Sequence, residues 1–310
     1  MSIVDAARSS PSLDRSRLGR PKGCGLCGSD KLKLKYDDIA VADPGAGRTY
    51  SRSVWACDTC HAYWASLPPS TRSDDYYSEK PASDHLVLEN NSNRFRQVRR
   101  VLEDAVGPGQ RRILDVGCAG GAHLDVYDER WDKFGVEPAM SAIQALRARG
   151  VAYLGPSAEG APAESFDAVT CLDVLEHIKR PRPFLNALNS CVVPGGVVAI
   201  VTGNIDSFTA RWGGRRWEYY ALPEHCAFYS TAALDRYWVG ERGYERLLRK
   251  RSANEDLSFA YLASFMRGCV REVVLRAVPA QRARAIERAG GGRLSFFFDN
   301  MLLTYRRPSA

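Results

Sequence analysis

Four cysteines near the start of the chain have the spacing of metal ligands. Cys24 and Cys27 form one C-x2-C pair, and Cys57 and Cys60 form a second. Together they offer the four thiolates that a tetrahedral structural zinc site needs, although two redox-active pairs are the alternative. KLKLKYDD and TYSRSVWAC, separated by DPGAG, alternate like two strands joined by a turn. We therefore expect a small zinc ribbon over residues 21–68.

A glycine-rich turn after an apolar run, ILDVGCAGG at residues 113–121, is the second feature that could do chemistry. Its glycines would let the backbone turn sharply and approach a ligand closely. Glu137 ends a second apolar run 22 residues beyond Asp115. An acid at that place accepts hydrogen bonds from ribose hydroxyls. These residues predict a site for a cofactor that contains adenosine, and by themselves they fit NAD as well as any other.

The elements that must position these residues alternate between strands and helices from Arg111 onward. This order predicts an α/β fold with a doubly wound, Rossmann-like and mostly parallel sheet. Strands are predicted in RILDV, KFGVEP, VAYLG, FDAVTCLD and GGVVAIVTG, and helices in GAHLDVYDER, AMSAIQALRARG and RPFLNALNSCV. TAALDRYWVGERGYERLLRK should add a helix and a sixth strand, and DNMLLTYRR an antiparallel last strand. Ligands bind beyond the carboxyl ends of such strands.

The organisation of the whole chain follows from its composition. It has 310 residues, of which 45% are hydrophobic and 25% charged, as in ordinary soluble domains. We predict a disordered tail at 1–20, a connector with a helix at 69–110, and the large domain at 111–310. A helical insert at about 254–290 would form either a lid or the face of a homodimer. Because neither a signal peptide nor a bilayer-spanning run is present in the sequence, we expect a cytoplasmic protein.

The net charge of +7 is concentrated in one part of the chain. Residues 206–310 carry 18 basic and 11 acidic groups, and this difference of +7 equals that of the whole chain. The excess would favour an anionic ligand, but arginines on solvated helix faces would give the same balance. No basic run with interleaved aromatic residues stands out. The expected partner is therefore a small-molecule acceptor, and neither nucleic acid nor a membrane.

Several segments taken together resemble the class I S-adenosylmethionine-dependent methyltransferases. ILDVGCAGG is similar to the first motif of that family, and FGVEPAM to the ribose-binding end of its second strand. FDAVTCLDVLEHIKRPRPFLNALNSCVVPGGVVAIVTGN is similar to its fourth strand, helix and fifth strand. NAD-dependent enzymes lack this segment that follows the first two motifs. The resemblance covers about residues 111–250 and implies S-adenosylmethionine as the cofactor.

The resemblance also implies where the cofactor lies. Asp115 and the glycine-rich turn would flank its amino-acid end, and Glu137 would hold the ribose. Two places depart from the family pattern, because Ala119 stands where glycine is commoner and Ser157-Ala158 where an aspartate commonly holds the adenine amine. The cofactor-binding residues implied are Asp115, Gly117, Cys118, Ala119, Gly121, Glu137, Pro138, Ser157, Ala158 and Leu172.

The acceptor predicted from the same segments is a small molecule. The fourth strand lacks the Asn/Asp-Pro-Pro-aromatic stretch of base-amine methyltransferases, and LDVLEHI resembles the small-molecule members. The acceptor would be a hydroxyl of a sugar or secondary metabolite. Candidate bases are His225 in WEYYALPEHCAFYS and His177 in LEHI, because an imidazole titrates near neutral pH. Tyr220 is a third candidate catalytic residue. We favour His225 as the base, since His177 could instead order the cofactor loop.

Two other functions fit the same sequence. The chain could be an rRNA methyltransferase, because some guanine-modifying members also carry an N-terminal zinc ribbon. Alternatively, it could be a non-catalytic zinc- and nucleotide-binding module that interacts with a partner protein. Tight, salt-sensitive RNA binding would mark the first, and cofactor binding without turnover would mark the second.

Overall fold

A computed structural model describes residues 20–43, 47–66, 92–252 and 299–309, with short pieces between 269 and 283. The predicted N-terminal tail, except for Arg20, most of the connector and most of the helical insert lie outside the described residues. None of the described helices combines the length and the apolar character that crossing a bilayer requires.

Eleven strands and five helices of 5 to 15 residues make up most of the described fold. In chain order the strands are β1 (Leu32–Asp43), β2 (Arg48–Cys57), β3 (Tyr63–Ala65), β4 (Arg111–Val116), β5 (Trp131–Val136), β6 (Ala152–Gly155), β7 (Phe166–Leu172), β8 (Val192–Gly203), β9 (Ala227–Phe228), β10 (Glu245–Ser252) and β11 (Asn300–Arg306). The helices are α1 (Ser92–Val106), α2 (Ile143–Ala148), α3 (Pro181–Cys191), α4 (Phe208–Gly213) and α5 (Thr231–Asp235). A π-helical segment follows at Arg236–Glu241, and 3-10 turns lie at Ala122–Val126, Met140–Ala142, Ala158–Gly160, Leu175–His177, Gly214–Arg216 and Glu218–Ala221.

The larger sheet confirms the predicted doubly wound α/β fold. Its strand order is β6-β5-β4-β7-β8-β11-β10, and the five strands from β4 to β8 are parallel to their neighbours among them. β11 runs antiparallel to both β8 and β10, as predicted for the last strand. The central strands read as near-continuous apolar runs because both faces of the sheet are covered. The chain order reverses between β4 and β7, so the cofactor crevice of such folds opens at the carboxyl ends of these two strands.

One predicted helix is wrong. GAHLDVYDER forms only the 3-10 turn Ala122–Val126, and Tyr127 already has an extended backbone. The Asp128 side chain accepts hydrogen bonds from the Arg130 amide at 3.1 Å and from the Arg130 guanidinium. Such local bonds from an aspartate favour a turn over a continuing helix.

The smaller sheet joins the N-terminal segment to the large domain. β1, β2 and β3 follow one another antiparallel, and β9 from the large domain adds the fourth strand beside β3. Leu26 and Trp64 of the N-terminal segment share one buried cluster with Leu185 of α3 and Val198 of β8. The predicted zinc-ribbon segment therefore packs on the large domain, and the Arg182 side chain of α3 donates to the Leu26 carbonyl at 2.8 Å.

Candidate active site

The glycine-rich turn follows β4 at the crevice between β4 and β7. Gly117 has φ +75°, and a Cβ at this position would lie 2.4 Å from the side chain of Val174. Only glycine satisfies both constraints. Asp115, at the end of β4, is buried and accepts a 2.6 Å hydrogen bond from the Thr170 hydroxyl of β7. The Nδ1 atom of His123 lies 3.3 Å from the other Asp115 oxygen, so this histidine is a neighbour of the cofactor site that sequence reasoning missed.

Glu137 lies just beyond the end of β5 and organises two backbone segments. Its Oε2 atom accepts a hydrogen bond from the Ala119 amide, and its Oε1 atom accepts one from the Ala139 amide, each at 2.9 Å. Ala119 has φ +45°, in the left-handed region that disfavours residues with a Cβ. The Glu137 carboxylate thus holds the glycine-rich turn in this conformation while remaining beside the predicted ribose position.

The other residues assigned to the cofactor by resemblance lie at the same edge of the sheet. Pro138 follows Glu137 directly, Leu172 ends β7, and Ser157 is exposed after β6, just before the 3-10 turn that begins with the buried Ala158. Cys118 is buried and packs toward Gly135, where a Cβ would lie 2.6 Å from its sulfur. Burial raises the pKa of the Cys118 thiol well above its ordinary value, which fits a packed side chain rather than a reactive one.

The four N-terminal cysteines form one cluster. The Sγ atoms of Cys24 and Cys60 are 3.4 Å apart, those of Cys27 and Cys57 are 3.6 Å apart, and all four thiols are free. Sulfurs bound tetrahedrally to zinc lie about 3.8 Å from one another, so the arrangement is compatible with a zinc ribbon. A hydrogen bond from the Cys60 thiol lowers the pKa of Cys24 to about 5, whereas burial raises that of Cys27 to about 11.

Glu176 occupies the 3-10 turn that follows β7, at the carboxyl end of that strand. Its carboxylate is buried and accepts hydrogen bonds from the Tyr219 hydroxyl and, at 2.8 Å, from the Thr202 hydroxyl. Burial raises its pKa, and these two hydrogen bonds partly oppose that effect. The sequence signal for this residue is an acid in LEHI, next to the candidate base His177.

Tyr219 links the Glu176 carboxylate to the candidate base His225. Its ring lies on the backbone of Gly203, where a Cβ would be 2.2 Å from the ring, and it stacks on Trp217 at 4.9 Å. Its hydroxyl also accepts a 3.0 Å hydrogen bond from the Gly203 amide. Burial and the Glu176 carboxylate raise the Tyr219 pKa well above its ordinary value, so the phenol stays protonated.

The two candidate histidines meet at this site. The ring centroids of His177 and His225 are 4.8 Å apart, and the His225 ring lies 4.1 Å from that of Tyr219. His225 is buried, and its Nδ1 atom has no hydrogen-bond partner among the described residues. Burial, with His177 and Arg52 nearby, lowers its pKa well below the ordinary value and keeps the imidazole neutral. One ligand atom each from Glu176, His177 and His225 lie within 4.8 Å of one another, so this cluster could also hold a divalent cation.

Tyr220, the third candidate, lies apart from this cluster. Its ring packs against Tyr36 of β1 at 5.4 Å and against Phe228 of β9 at 4.8 Å. In the 3-10 turn Glu218–Ala221, successive side chains point in different directions. Tyr219 therefore lies beside the histidines, and Tyr220 lies in the core beneath the smaller sheet.

An ion pair between a buried arginine and a partly buried aspartate also lies at the carboxyl end of β7. Arg94 of α1 is buried and donates to the Asp173 carboxylate, which directly follows β7 and has φ +54°. The other oxygen of Asp173 accepts a 3.0 Å hydrogen bond from the Asn300 amide of β11. Burial raises the pKa of Asp173 to about 6, although the Arg94 guanidinium opposes the shift.

The comparison with known families agrees with this geometry. Residues 91–248 match the model of a family described as a methyltransferase domain. The chain belongs to this family and is a class I S-adenosylmethionine-dependent methyltransferase.

Individual relatives refine the comparison. The ubiquinone biosynthesis O-methyltransferase of Alkalilimnicola ehrlichii is 30% identical over 187 residues, which cover 52% of this chain and 75% of the relative. The enzyme of the same name from Paracidovorax citrulli is 28% identical over 192 residues, covering 53% and 80%. A chain from the solved complex of a methyltransferase activator and a methyltransferase from Haloferax volcanii has a similar fold. Its TM-score is 0.52 at 13% identity, and the match covers 76% of this chain and 98% of that one.

Proposed function

We propose that the enzyme transfers a methyl group to a hydroxyl oxygen of a small molecule, such as a sugar or a secondary metabolite. The observation that carries the proposal is the contact of His177 and His225 at the carboxyl end of β7, beside the cofactor crevice. Two imidazoles at the acceptor side suit deprotonation of a hydroxyl. Relatives named O-methyltransferases support oxygen as the methylated atom.

The roles of the residues follow from their positions. When bound, S-adenosylmethionine supplies a methyl group on a positively charged sulfur, so the protein has mainly to position and deprotonate the acceptor. Asp115 and Glu137 would hold the cofactor at the ends of β4 and β5. His225, which is neutral, would take the proton of the acceptor hydroxyl. Its low pKa makes it a weak base, so proximity has to contribute much of the rate.

The hydrogen bonds around Glu176 support this arrangement. Tyr219 bridges the Glu176 carboxylate and the Gly203 amide, and its ring lies against His225. The imidazole of His225 therefore contacts two rings, the phenol of Tyr219 and the imidazole of His177. Pre-organisation of this kind reduces the cost of bringing a base to its substrate.

We also propose that Cys24, Cys27, Cys57 and Cys60 hold one structural zinc ion, and that the enzyme acts in the cytoplasm. Four free thiols within one cluster support both ideas, because thiols persist in reducing compartments. The partner would be a free small molecule rather than nucleic acid. The helical insert at about 254–290 would form either a lid or the face of a homodimer, and most of it lies outside the described residues.

Calorimetry and a turnover screen test the proposal. Titration with S-adenosylmethionine and with its demethylated product should show binding, and Gly117→Ala should abolish it because the new Cβ would overlap Val174. The screen offers hydroxyl acceptors of two classes, catechol and UDP-glucose, and follows methyl transfer by mass. The absence of cofactor binding by the wild-type protein would refute the proposal. Tight RNA binding that weakens steeply with salt would favour the rRNA alternative instead.

A further inference from the structure

Arg52 on β2 is a completely buried cation with an unusual set of partners. Its Nη1 atom donates to the carbonyl oxygens of Tyr220, Leu222 and His225, at 3.2, 2.8 and 3.0 Å. Its Nη2 atom donates to the Pro223 carbonyl and to the Tyr50 hydroxyl, each at 2.8 Å. Within the described part of the chain, none of its hydrogen-bond partners is a carboxylate.

All four carbonyls belong to one short segment, residues 220–225, which has no continuous secondary structure of its own. This segment connects Tyr219 to His225, the two residues that contact each other at the acceptor side. The planar guanidinium has five N–H donors in a fixed fork, so it can bind several carbonyls of one turn at once. Burying a guanidinium with no carboxylate among its hydrogen-bond partners is costly, even with the Glu224 charge nearby, and an apolar side chain would fill the same space at lower cost. The arrangement therefore points to a role in shaping this turn.

The rest of the smaller sheet holds the same segment from its other end. The Ala65 amide donates to the Cys226 carbonyl at 2.9 Å, and β3 pairs with β9 directly afterwards. On the opposite side, the Cys226 amide donates to the Glu176 carbonyl at 2.9 Å. β2 ends at Cys57, and β3 begins three residues after Cys60. The two strands that bind the segment are therefore adjacent in the chain to the cysteine cluster.

We propose that Arg52 is a positioning residue for methyl transfer, through which the cysteine-bearing sheet sets the geometry of Tyr219 and His225. The inference rests on the proposed function, because it assigns the acceptor side to these residues. The cysteine cluster then has a part in catalysis without contacting the cofactor or the acceptor. It fixes the strands that carry Arg52 and pair with β9.

The test compares Arg52→Ala and Arg52→Lys with the matched control Arg111→Ala. Arg111 also donates to backbone carbonyls of one loop, those of Val106 and Pro108 at 3.0 and 2.7 Å, but at the opposite end of the sheet. Hydrogen exchange is measured in residues 218–226 and in residues 113–121. Cofactor affinity is measured by calorimetry, and kcat and KM with whichever of catechol and UDP-glucose gives the higher turnover.

Arg52→Ala should speed exchange in residues 218–226 while residues 113–121 and the cofactor affinity stay as in the wild type. Its kcat/KM for the acceptor should fall about 10- to 100-fold, because misplacement by about 1 Å costs this much. Added guanidinium, but not the same concentration of sodium chloride, should restore part of the turnover. Arg52→Lys should behave like Arg52→Ala, since a single ammonium cannot replace the fork. Arg111→Ala should keep the wild-type acceptor kinetics.

Three results would overturn the inference: unchanged exchange in residues 218–226 of Arg52→Ala, unchanged acceptor kinetics, or equal loss of cofactor affinity and turnover. The last would mean a general loss of structure. If the wild-type protein bound no S-adenosylmethionine, the proposed function would fail. The exchange comparison would still decide whether Arg52 holds the segment.

Discussion

At the residue scale, Ala119 carries backbone strain that the Glu137 carboxylate helps to maintain. A Cβ in the left-handed region costs about 1–2 kcal/mol, and glycine avoids this cost. We expect Ala119→Gly to raise the free energy of unfolding by up to about 1 kcal/mol, since the greater freedom of glycine in the unfolded chain offsets part of the gain. Urea unfolding followed by tryptophan fluorescence measures the change.

The matched control is Ala145→Gly, in the middle of α2, where the backbone is helical. There the same substitution should lower the free energy of unfolding by about 1 kcal/mol. If both variants lose stability equally, the left-handed conformation of Ala119 carries no strain.

Substituting each of the two histidines in turn should distinguish their roles. Loss of a general base lowers turnover about 10²–10⁴-fold. We expect His225→Ala to show this loss with cofactor affinity retained, and His177→Ala to disturb cofactor binding instead, because His177 ends the 3-10 turn that follows β7. Calorimetry and initial rates distinguish the two. Full turnover in both variants would mean that the transfer depends on proximity or on another residue.

A further residue-scale test concerns the bond between Tyr219 and Glu176. Tyr219→Phe keeps the ring that packs on Gly203, Trp217 and His225, and removes only the hydroxyl that donates to Glu176. The variant should retain its fold and lose turnover by a smaller factor than His225→Ala. Initial rates at saturating cofactor measure this, and a loss as large as that of His225→Ala would place the phenol at the reacting atoms.

The grouping of residues at the ends of β4 and β5 could be predicted from the sequence better than the grouping around His225, and the reason is physical. The glycine-rich turn and Asp115 lie at the end of β4, and Glu137 lies at the end of β5. Because these two strands are parallel neighbours, the proximity of the residues follows from sheet topology alone. Tyr219 and Tyr220 are adjacent in the chain, and the geometry of one 3-10 turn decides which of them meets the histidines. Arg52 looks like an outward arginine on an alternating strand, because its partners come from far along the chain.

At the element scale, the cysteine cluster organises the smaller sheet. We predict one zinc ion per chain by elemental analysis. Cys57→Ser should remove the metal and speed hydrogen exchange in β1–β3, because zinc ligation contributes folding free energy directly. Residues 113–121 should keep their exchange rates and the cofactor its affinity. Cys269→Ser, outside the cluster, is the control and should retain the metal.

A different result would change the division of the molecule. If Cys57→Ser reduced cofactor affinity as much as Gly117→Ala, the N-terminal segment could not be regarded as separate from the cofactor-binding domain. Its buried cluster with Leu185 and Val198 shows how such coupling would be transmitted.

Elements with strong periodic signals were predicted well, and short ones were not. The strands of the large sheet and helix α1 follow from continuous apolar runs and helical spacing. β9 has only two residues, and nothing in CAFYS indicates that it pairs with a strand near the start of the chain. The predicted helix after β4 is absent because Asp128 forms local hydrogen bonds, and sequence periodicity does not register such bonds.

At the scale of the whole molecule, Asp173 makes stability depend on pH. Burial raises its pKa to about 6, above the value of about 4 of an unfolded aspartate. The folded state thus binds the proton more tightly. Its contribution to stability is fully present below about pH 4 and is lost as the pH rises through about 6. Asp173→Asn should remove this component from the urea midpoint measured across that range.

The exposed Asp132→Asn variant is the control, because it makes the same change of net charge at a carboxyl on the surface. Its urea midpoints should follow the wild-type dependence on pH. An Asp173→Asn profile parallel to the wild type would show that this carboxyl has the same proton affinity in both states.

The pairing of β3 with β9 has a consequence for how the chain is made. The ribosome completes β3 well before it reaches Phe228, the partner of Tyr63. At about 5–20 residues per second, the delay is roughly ten to thirty seconds. During this time the nascent hairpin already has the four cysteines proposed to bind zinc, but one strand edge has no partner, and open edges invite pairing with neighbouring chains. Crowded polysomes therefore present the first sheet of this enzyme at its most aggregation-prone stage, and a chaperone that shields β3 would raise the yield of folded protein.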